Sequence, residues 1–239
     1  MEQNFKYKTD KEALVALGDL HGNWSSIAEF CKNYQNFCII QVGDFGLGFY
    51  HPIKESHRLK KLNKVLHDSN NELISIRGNH DNPKYFRNKW LEEEVFLSND
   101  YTILEHGGKK IQLIGGGISI DRSERIIGRS WWDKEEVDFQ PERVEKVDIL
   151  ITHVAPSNFP LQKADTHSNV VHYHGIESSQ GGDLLGELLT ETKTVQKISD
   201  LSDCNLHIFG HYHHSLFFVD EITHRKYICL NIDEFREIK

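Results

Sequence analysis

The chain has 239 residues, 38% of them hydrophobic and 10% aromatic, which is enough for a sizeable core and too apolar for a disordered chain. Its formal net charge of -8 excludes a protein that holds nucleic acid mainly through a basic face, so no extended nucleic-acid surface is expected and only a local phosphate site remains open. Cys31, Cys38, Cys204 and Cys229 are scattered without CxxC pairing, and neither a signal peptide nor a membrane span is expected, so the reading is a cytoplasmic protein with one domain over residues 1–239.

Ala13–Leu17 is a short apolar run ending at Gly18, and residues 37–42 form another ending at Gly43; both read as buried strands handing over to an acidic residue. Between them Trp24, Ile27, Ala28, Phe30 and Cys31 recur at helical spacing, with Asn23 as the N-cap. Residues 51–70 place Leu59, Leu62, Val65 and Leu66 on one helical face, with Lys60, Lys61 and Lys64 as its wet side. A third strand over 73–76 then runs into Gly78, so the chain opens β-α-β-α-β. No element is predicted in the polar, aromatic segment 83–99. Short strands at 101–104, Lys109–Ile114 and 117–120, with Gly107-Gly108 as a hairpin turn, indicate a second sheet. A helix over 133–146, interrupted by Pro141, leads to a strand at 148–152. His167, His172 and His174 lie in a polar stretch read as solvated loop, long enough to serve as a lid. An amphipathic helix over 184–201 and strands at Leu206–Phe209, Leu216–Val219 and 227–232 complete the set.

Along this frame, short segments collect metal-binding side chains beside glycines: Gly18-Asp19-Leu20-His21-Gly22, Gly43-Asp44, Gly78-Asn79-His80-Asp81, Thr152-His153 and Gly210-His211-Tyr212-His213. Carboxylate, imidazole and amide are the ligand types that hold borderline divalent metals. In open α/β sheets functional residues gather where strands end and loops begin, which is where the first of these segments fall. Asp19 and His21 are two apart, so an extended backbone sends both side chains from one side. Asp44 offers two oxygens suited to bridging a pair of ions, and Asn79 offers a neutral amide oxygen that adds no repulsion.

The ordered set Asp-x-His, Gly-Asp, Gly-Asn-His-Asp, a later His and Gly-His-x-His resembles the calcineurin-like metallophosphoesterase family over residues 13–232. The resemblance implies an α/β (α+β) fold, a four-layer αββα sandwich with two central mixed β-sheets flanked by helices. It implies one ion held by Asp19, His21, Asp44 and His213, and a second held by Asp44, Asn79, His153 and His211. It also implies a metal-bridging hydroxide as nucleophile, and His80 as proton donor or phosphate ligand. Manganese is the metal the resemblance favours, and mixed nitrogen and oxygen ligands also admit iron, zinc or nickel.

Protein serine/threonine phosphatases of that family carry Gly-Asp-x-Val-Asp-Arg-Gly, whose second Asp orients the catalytic His; here Leu47 stands at that place in Gly43-Asp44-Phe45-Gly46-Leu47-Gly48. Leu47 accepts no hydrogen bond, which turns the reading away from phosphoproteins and leaves Asp81 as the candidate to orient His80. Arg122, Arg125 and Arg129 follow at helical spacing, and Arg122 is the candidate to clamp a substrate phosphate beside Asn79 and His80. The run Gly115-Gly116-Gly117 lacks the Lys-Ser/Thr sequel of a P-loop and is read as a bulge or a close sheet contact, with a phosphate cradle as the alternative. Ser130-Trp131-Trp132 is read as pocket rim or core packing.

The expected activity is hydrolysis of phosphate esters, with small phosphomonoesters or nucleotides as substrates. A phosphodiesterase acting on cyclic nucleotides or nucleic-acid ends is the alternative, because one dinuclear core serves both reactions. A noncatalytic phosphate-binding module of the same fold is the second alternative.

Overall fold

A computed structural model describes residues 3–48, 50–160 and 167–239. The first half of the chain, joined by the last strand, builds a six-stranded sheet in the order β13-β2-β3-β4-β6-β5, with β2 at Ala13–Leu17, β3 at Phe37–Gln41, β4 at Glu72–Ser75, β5 at Lys89–Glu92, β6 at Val95–Leu97 and β13 at Phe235–Ile238. The inner strands β2, β3, β4 and β6 are parallel, while β13 and β5 close the edges in antiparallel fashion. A seven-stranded sheet follows, ordered β1-β7-β8-β9-β10-β12-β11. Its members are β1 (Lys6–Lys8), β7 (Thr102–His106), β8 (Lys109–Ile114), β9 (Ile149–Thr152), β10 (Leu206–Phe209), β11 (Leu216–Val219) and β12 (Lys226–Cys229). Parallel pairs β8-β9, β9-β10 and β10-β12 form its centre, so both sheets are mixed.

The two-residue period of a strand decides the layering. Leu14, Ala16, Cys38, Ile40, Ile74 and Phe96 face the second sheet and pack with Leu104, Ile111, Leu113, Ile149, Ile151 and Ile208. Their neighbours Val15, Leu17, Ile39, Leu73, Val95 and Leu97 point the other way, onto α1 (Ser25–Asn33) and α2 (Pro52–Asp68) through Ile27, Cys31, Leu59, Leu62 and Leu66. On the far side Ile103, Ile114 and Leu150 of the second sheet meet Val195 and Ile198 of α4 (Leu184–Ser202). The result is the helix–sheet–sheet–helix stack of the sandwich. Strands covered on both faces read as unbroken apolar runs, which is why the sequence marks them. The four cysteines are buried free thiols. Among the described residues no helix is long and apolar enough to cross a membrane.

Several expectations are corrected. Trp24, not Asn23, occupies the N-cap of α1; the Asn23 side chain instead accepts from Ser25 N at 3.3 Å and Ser25 Oγ at 2.7 Å. Segment 83–99 contains β5 and β6, residues 117–120 are not a strand, and the stretch holding His172 and His174 is part of helix α3 (His167–Ser179). Nothing is described of the His167 side chain. Residues 133–146 form no α-helix, only a 3-10 turn at Pro141–Arg143. The reason is local: the carbonyls of Glu135 and Glu136 accept from the buried Arg77 guanidinium at 2.7 and 3.0 Å, and Lys134 has φ 65, so the segment cannot wind. Arg77 also explains the glycine run, because a Cβ at Gly115 would lie 2.6 Å from its carbonyl oxygen and one at Gly116 3.0 Å from its Nη1. The run is a close backbone contact.

Candidate metal centre

Register brings the motifs to one edge. Leu17 pairs with Gln41 and Gln41 with Ser75, so the ends of β2, β3 and β4 lie side by side and release Asp19, Asp44 and Asn79 together. Buried Gln41 ties these ends: its amide donates to the carbonyls of Gly18 and Gly43, and its Oε1 accepts from Ser75 Oγ at 2.7 Å. From the second sheet, β9 and β10 run parallel and deliver His153, His211 and His213 just past their ends. Glycines make the approach possible, since a Cβ on Gly78 would collide with the Asp44 carboxylate and one on Gly210 with that of Asp19. His21, Asp44, His211 and His213 adopt left-handed backbone, with φ between 46 and 69, a conformation in which Asp and His are enriched among non-glycine residues.

The ionisable atoms converge in three overlapping groups, of which His21, Asp44 and His80 form the one that links an open group to a buried one. In the more open one, Asp19 Oδ2 lies 3.3 Å from His213 Nε2 and 4.0 Å from His21 Nε2, and the two imidazoles face each other at 2.9 Å. In the buried one, Asn79 Oδ1 lies 3.1 Å from His153 Nε2 and 3.0 Å from His211 Nδ1, with Asp44 Oδ1 at 3.4 Å from His153 Nε2. Asp44 also faces the first group, its Oδ2 lying 3.8 Å from His21 Nδ1. Thus all seven residues assigned from sequence as ligands are brought together, while His80, at the edge, donates its backbone N–H to Asp44 Oδ1 at 2.7 Å.

The donor chemistry of the buried group fits a cation. His153 Nδ1 faces the Val42 carbonyl at 2.9 Å and must donate to it, so in the neutral ring Nε2 carries a lone pair. That lone pair, the Asn79 amide oxygen and an Asp44 oxygen then point at one another with no proton between them. Without a cation the strain falls on protonation: burial pushes His153 down, but the Asp44 carboxylate overrides it and raises the ring to about 9. Burial likewise works against the Asp44 charge, and His153, His80 and His21 still hold it well below the usual carboxylate range.

Asn79 is oriented from behind. Its Nδ2 donates to Ser119 Oγ at 3.2 Å, and buried Glu135 accepts from Ser119 Oγ at 2.7 Å and Ser119 N at 2.6 Å, which turns Oδ1 toward the imidazoles. Neither Ser119 nor Glu135 carries a spacing signal in the sequence. Their role follows from the Arg77 contacts that fold segment 134–136 inward.

Arg122 and Asp81 are elsewhere than expected. Arg122 forms ion pairs with Glu177 and Glu187, both at 2.5 Å, and does not reach the centre. Arg125 does: Nη2 donates to His80 Nε2 at 2.6 Å and pairs with Asp121 at 2.6 Å, and Nη1 donates to Ser119 Oγ at 2.9 Å. A helix would have aligned these arginines; the chain makes a single 3-10 turn at Arg122–Glu124, and extended backbone at Arg125 reverses the side chain. Asp81 does not orient His80, because its carboxylate accepts from the backbone N–H groups of Phe45, Gly46, Leu47 and Gly78 at 2.7 to 3.1 Å. It shapes the loop that carries Asp44, and Leu47 is core. Burial, with the Arg125 charge adding to it against the pull of Asp44, lowers His80 to about 4. Trp131 lines a separate cavity and Trp132 is buried.

The centre opens into a cleft of about 830 Å³, bounded by His80, Asp121 and Arg125 on one side and by α3 and α4 on the other. The family model described as calcineurin-like phosphoesterase matches residues 13–215. No curated protein matches the chain. Among solved structures, phosphopantetheinyl hydrolase from Mycobacterium tuberculosis is similar at a TM-score of 0.51 and 14% identity, over 93% of this chain and 90% of that one. A mutant cold-active protein tyrosine phosphatase aligns over 96% of this chain and 74% of that one, at 14% identity and a TM-score of 0.36. Two face-to-face mixed sheets, an edge that gathers Asp, Asn and His, and a family match over most of the chain lead to one conclusion: this chain belongs to the calcineurin-like phosphoesterases, a family of metal-dependent phosphoester hydrolases.

Proposed function

We propose that the chain, working as one domain, hydrolyses small phosphate esters at a dinuclear centre. Asp19, His21, Asp44 and His213 hold one ion, and Asp44, Asn79, His153 and His211 hold the other. The observation that carries this reading is Asp44, a single buried carboxylate whose two oxygens look into the two imidazole groups, toward His21 and toward His153.

Two divalent ions, when bound, supply Lewis-acid activation of water and of the phosphoryl group. The chain supplies the geometry. Val42 O fixes the His153 tautomer, Ser119 and Glu135 fix the Asn79 amide, and the Asp44 carboxylate is steadied by the His80 N–H. Arg125 donates to His80 Nε2, so the neutral ring carries its proton on Nδ1, and the pair forms the polar wall of the cleft beside the ligands. A substrate phosphate entering there meets the Arg125 guanidinium and His80, and Nε2, once released from Arg125, can take up the proton given off by the attacking water and pass it to the leaving oxygen. Manganese is the proposed metal. A cytoplasmic setting is proposed with it.

The test is reconstitution of the metal-free protein with manganese, iron, zinc or nickel, with metal counted by mass spectrometry and turnover followed on p-nitrophenyl phosphate and bis-p-nitrophenyl phosphate. Two ions per chain and faster hydrolysis of the monoester are expected. A stoichiometry of one, or a fully loaded protein inert to both esters, defeats the proposal.

A further inference from the structure

We propose that the substrate is an amphiphilic phosphoester: a single phosphoryl group at the ligand cluster, joined to an apolar substituent that lies along α3 and α4. This rests on the phosphoesterase reading above. The cleft that contains Asp44, Asn79 and His211 at one end continues, as the same cavity, along Leu185, Leu188 and Leu189 of α4 and Val170 of α3. Leu185 and Leu189 are one helical turn apart and expose 39% and 59% of their surface, although α4 has a well-buried face of its own in Val195 and Ile198. A contiguous run of aliphatic side chains left open in a cleft that also holds convergent polar groups is the make-up of a ligand pocket.

Charge defines the rest of the substrate. Among the described residues that line the cleft, Arg125 is the one lysine or arginine, and Asp121 lies 2.6 Å from its guanidinium. Asp121 offsets the Arg125 charge, and Glu191 on the same wall is buried, its carboxylate accepting from the Ile118 and Val137 N–H groups. Among the described residues no second lysine or arginine lines the cleft to receive a further phosphate, so the described wall suits a single phosphoryl group better than a di- or triphosphate. An uncharged alkyl or aryl group matches both the leucine wall and this charge distribution.

The experiment uses the metal-loaded protein and n-alkyl phosphates from ethyl to octyl, with adenosine monophosphate and diphosphate for comparison, and reads release of inorganic phosphate. Each methylene added is expected to raise kcat/KM by about 2- to 4-fold, through KM, until the wall is covered. In a Leu185→Gln/Leu189→Gln variant, whose sites tolerate polar side chains because they are exposed, the octyl-to-ethyl ratio should collapse toward one at unchanged metal content. A flat or falling series, faster turnover of either nucleotide than of octyl phosphate, or a variant that keeps the slope overturns this inference alone. Failure of every ester to release phosphate at full metal loading overturns the phosphoesterase reading and this one with it.

Discussion

Arg77→Met is the perturbation that best separates packing from polar stitching in this fold. Arg77 is 7% exposed and gives two hydrogen bonds to Asp100 Oδ2, at 3.1 and 2.8 Å, while also donating to the Glu135 and Glu136 carbonyls at 2.7 and 3.0 Å. Methionine matches the aliphatic stem but leaves the Asp100 carboxylate without its cation and strands the carbonyls. Breaking a buried pair on one side costs about 3 to 5 kcal/mol, a large share of a typical domain stability of about 5 to 15 kcal/mol. Equilibrium urea unfolding of the metal-free proteins measures the loss. Adding Asp100→Asn, which removes the unpaired charge and keeps an oxygen for the Gly115 N–H now held at 2.8 Å, should recover part of it. A loss below about 1 kcal/mol for Arg77→Met, or a double variant as unstable as the sum of the singles, would refute the reasoning.

Four further outcomes are expected. Ser119→Ala frees the Asn79 amide to rotate and should weaken metal binding by about 10- to 100-fold in calorimetry, with the fold intact by circular dichroism. Arg125→Ala should lower kcat/KM at constant metal content, whereas Arg122→Ala should change thermal stability and leave kcat/KM alone; equal effects on activity would restore Arg122 to the site. On chelation, the ion beside His21 and His213, whose side chains are 28% and 45% exposed, should leave before the one beside fully buried His153, giving two resolved phases in a competition assay. Finally, burial, with the Arg225 charge adding to it, lowers His207 to about 3, so the folded state keeps this ring neutral while the unfolded chain protonates it. Its contribution is present above a pH of about 6.5 and is lost as pH falls from there toward 3, at up to about 1.4 kcal/mol per pH unit. His207→Gln should flatten that acid slope in urea titrations; an unchanged slope rejects the assignment.

What could be read from the residues follows from how each element is stabilised. Strands β2, β3, β4, β9 and β10 are buried on both faces, so apolar runs announce them and the motif residues fall at their ends. Edge strands such as β1, with the sequence Lys-Tyr-Lys, are held by backbone pairing to Ile103–Glu105 and carry no such pattern. Helix α3 mixes histidine, valine, serine and a glycine without periodicity, and only its place beside the cleft shows what it does. The clustering of Asp, Asn and His was legible because metal chemistry restricts residue type. Arg125 was hidden among three arginines, since the choice between them depends on one backbone reversal after a 3-10 turn.

The proposed ligands come from both sheets, and all from the same rim of the sandwich. Cations held there as proposed would clasp the two layers at that rim, whereas at the opposite rim, where the Gly107-Gly108 turn joins β7 to β8, the link is a hydrogen bond between His106 Nε2 and the Lys11 carbonyl at 2.8 Å. Metal loading is therefore expected to slow amide exchange at the ends of β3 and β9 more than at residues 105–110, stiffening one rim of the sandwich while leaving the other as it was.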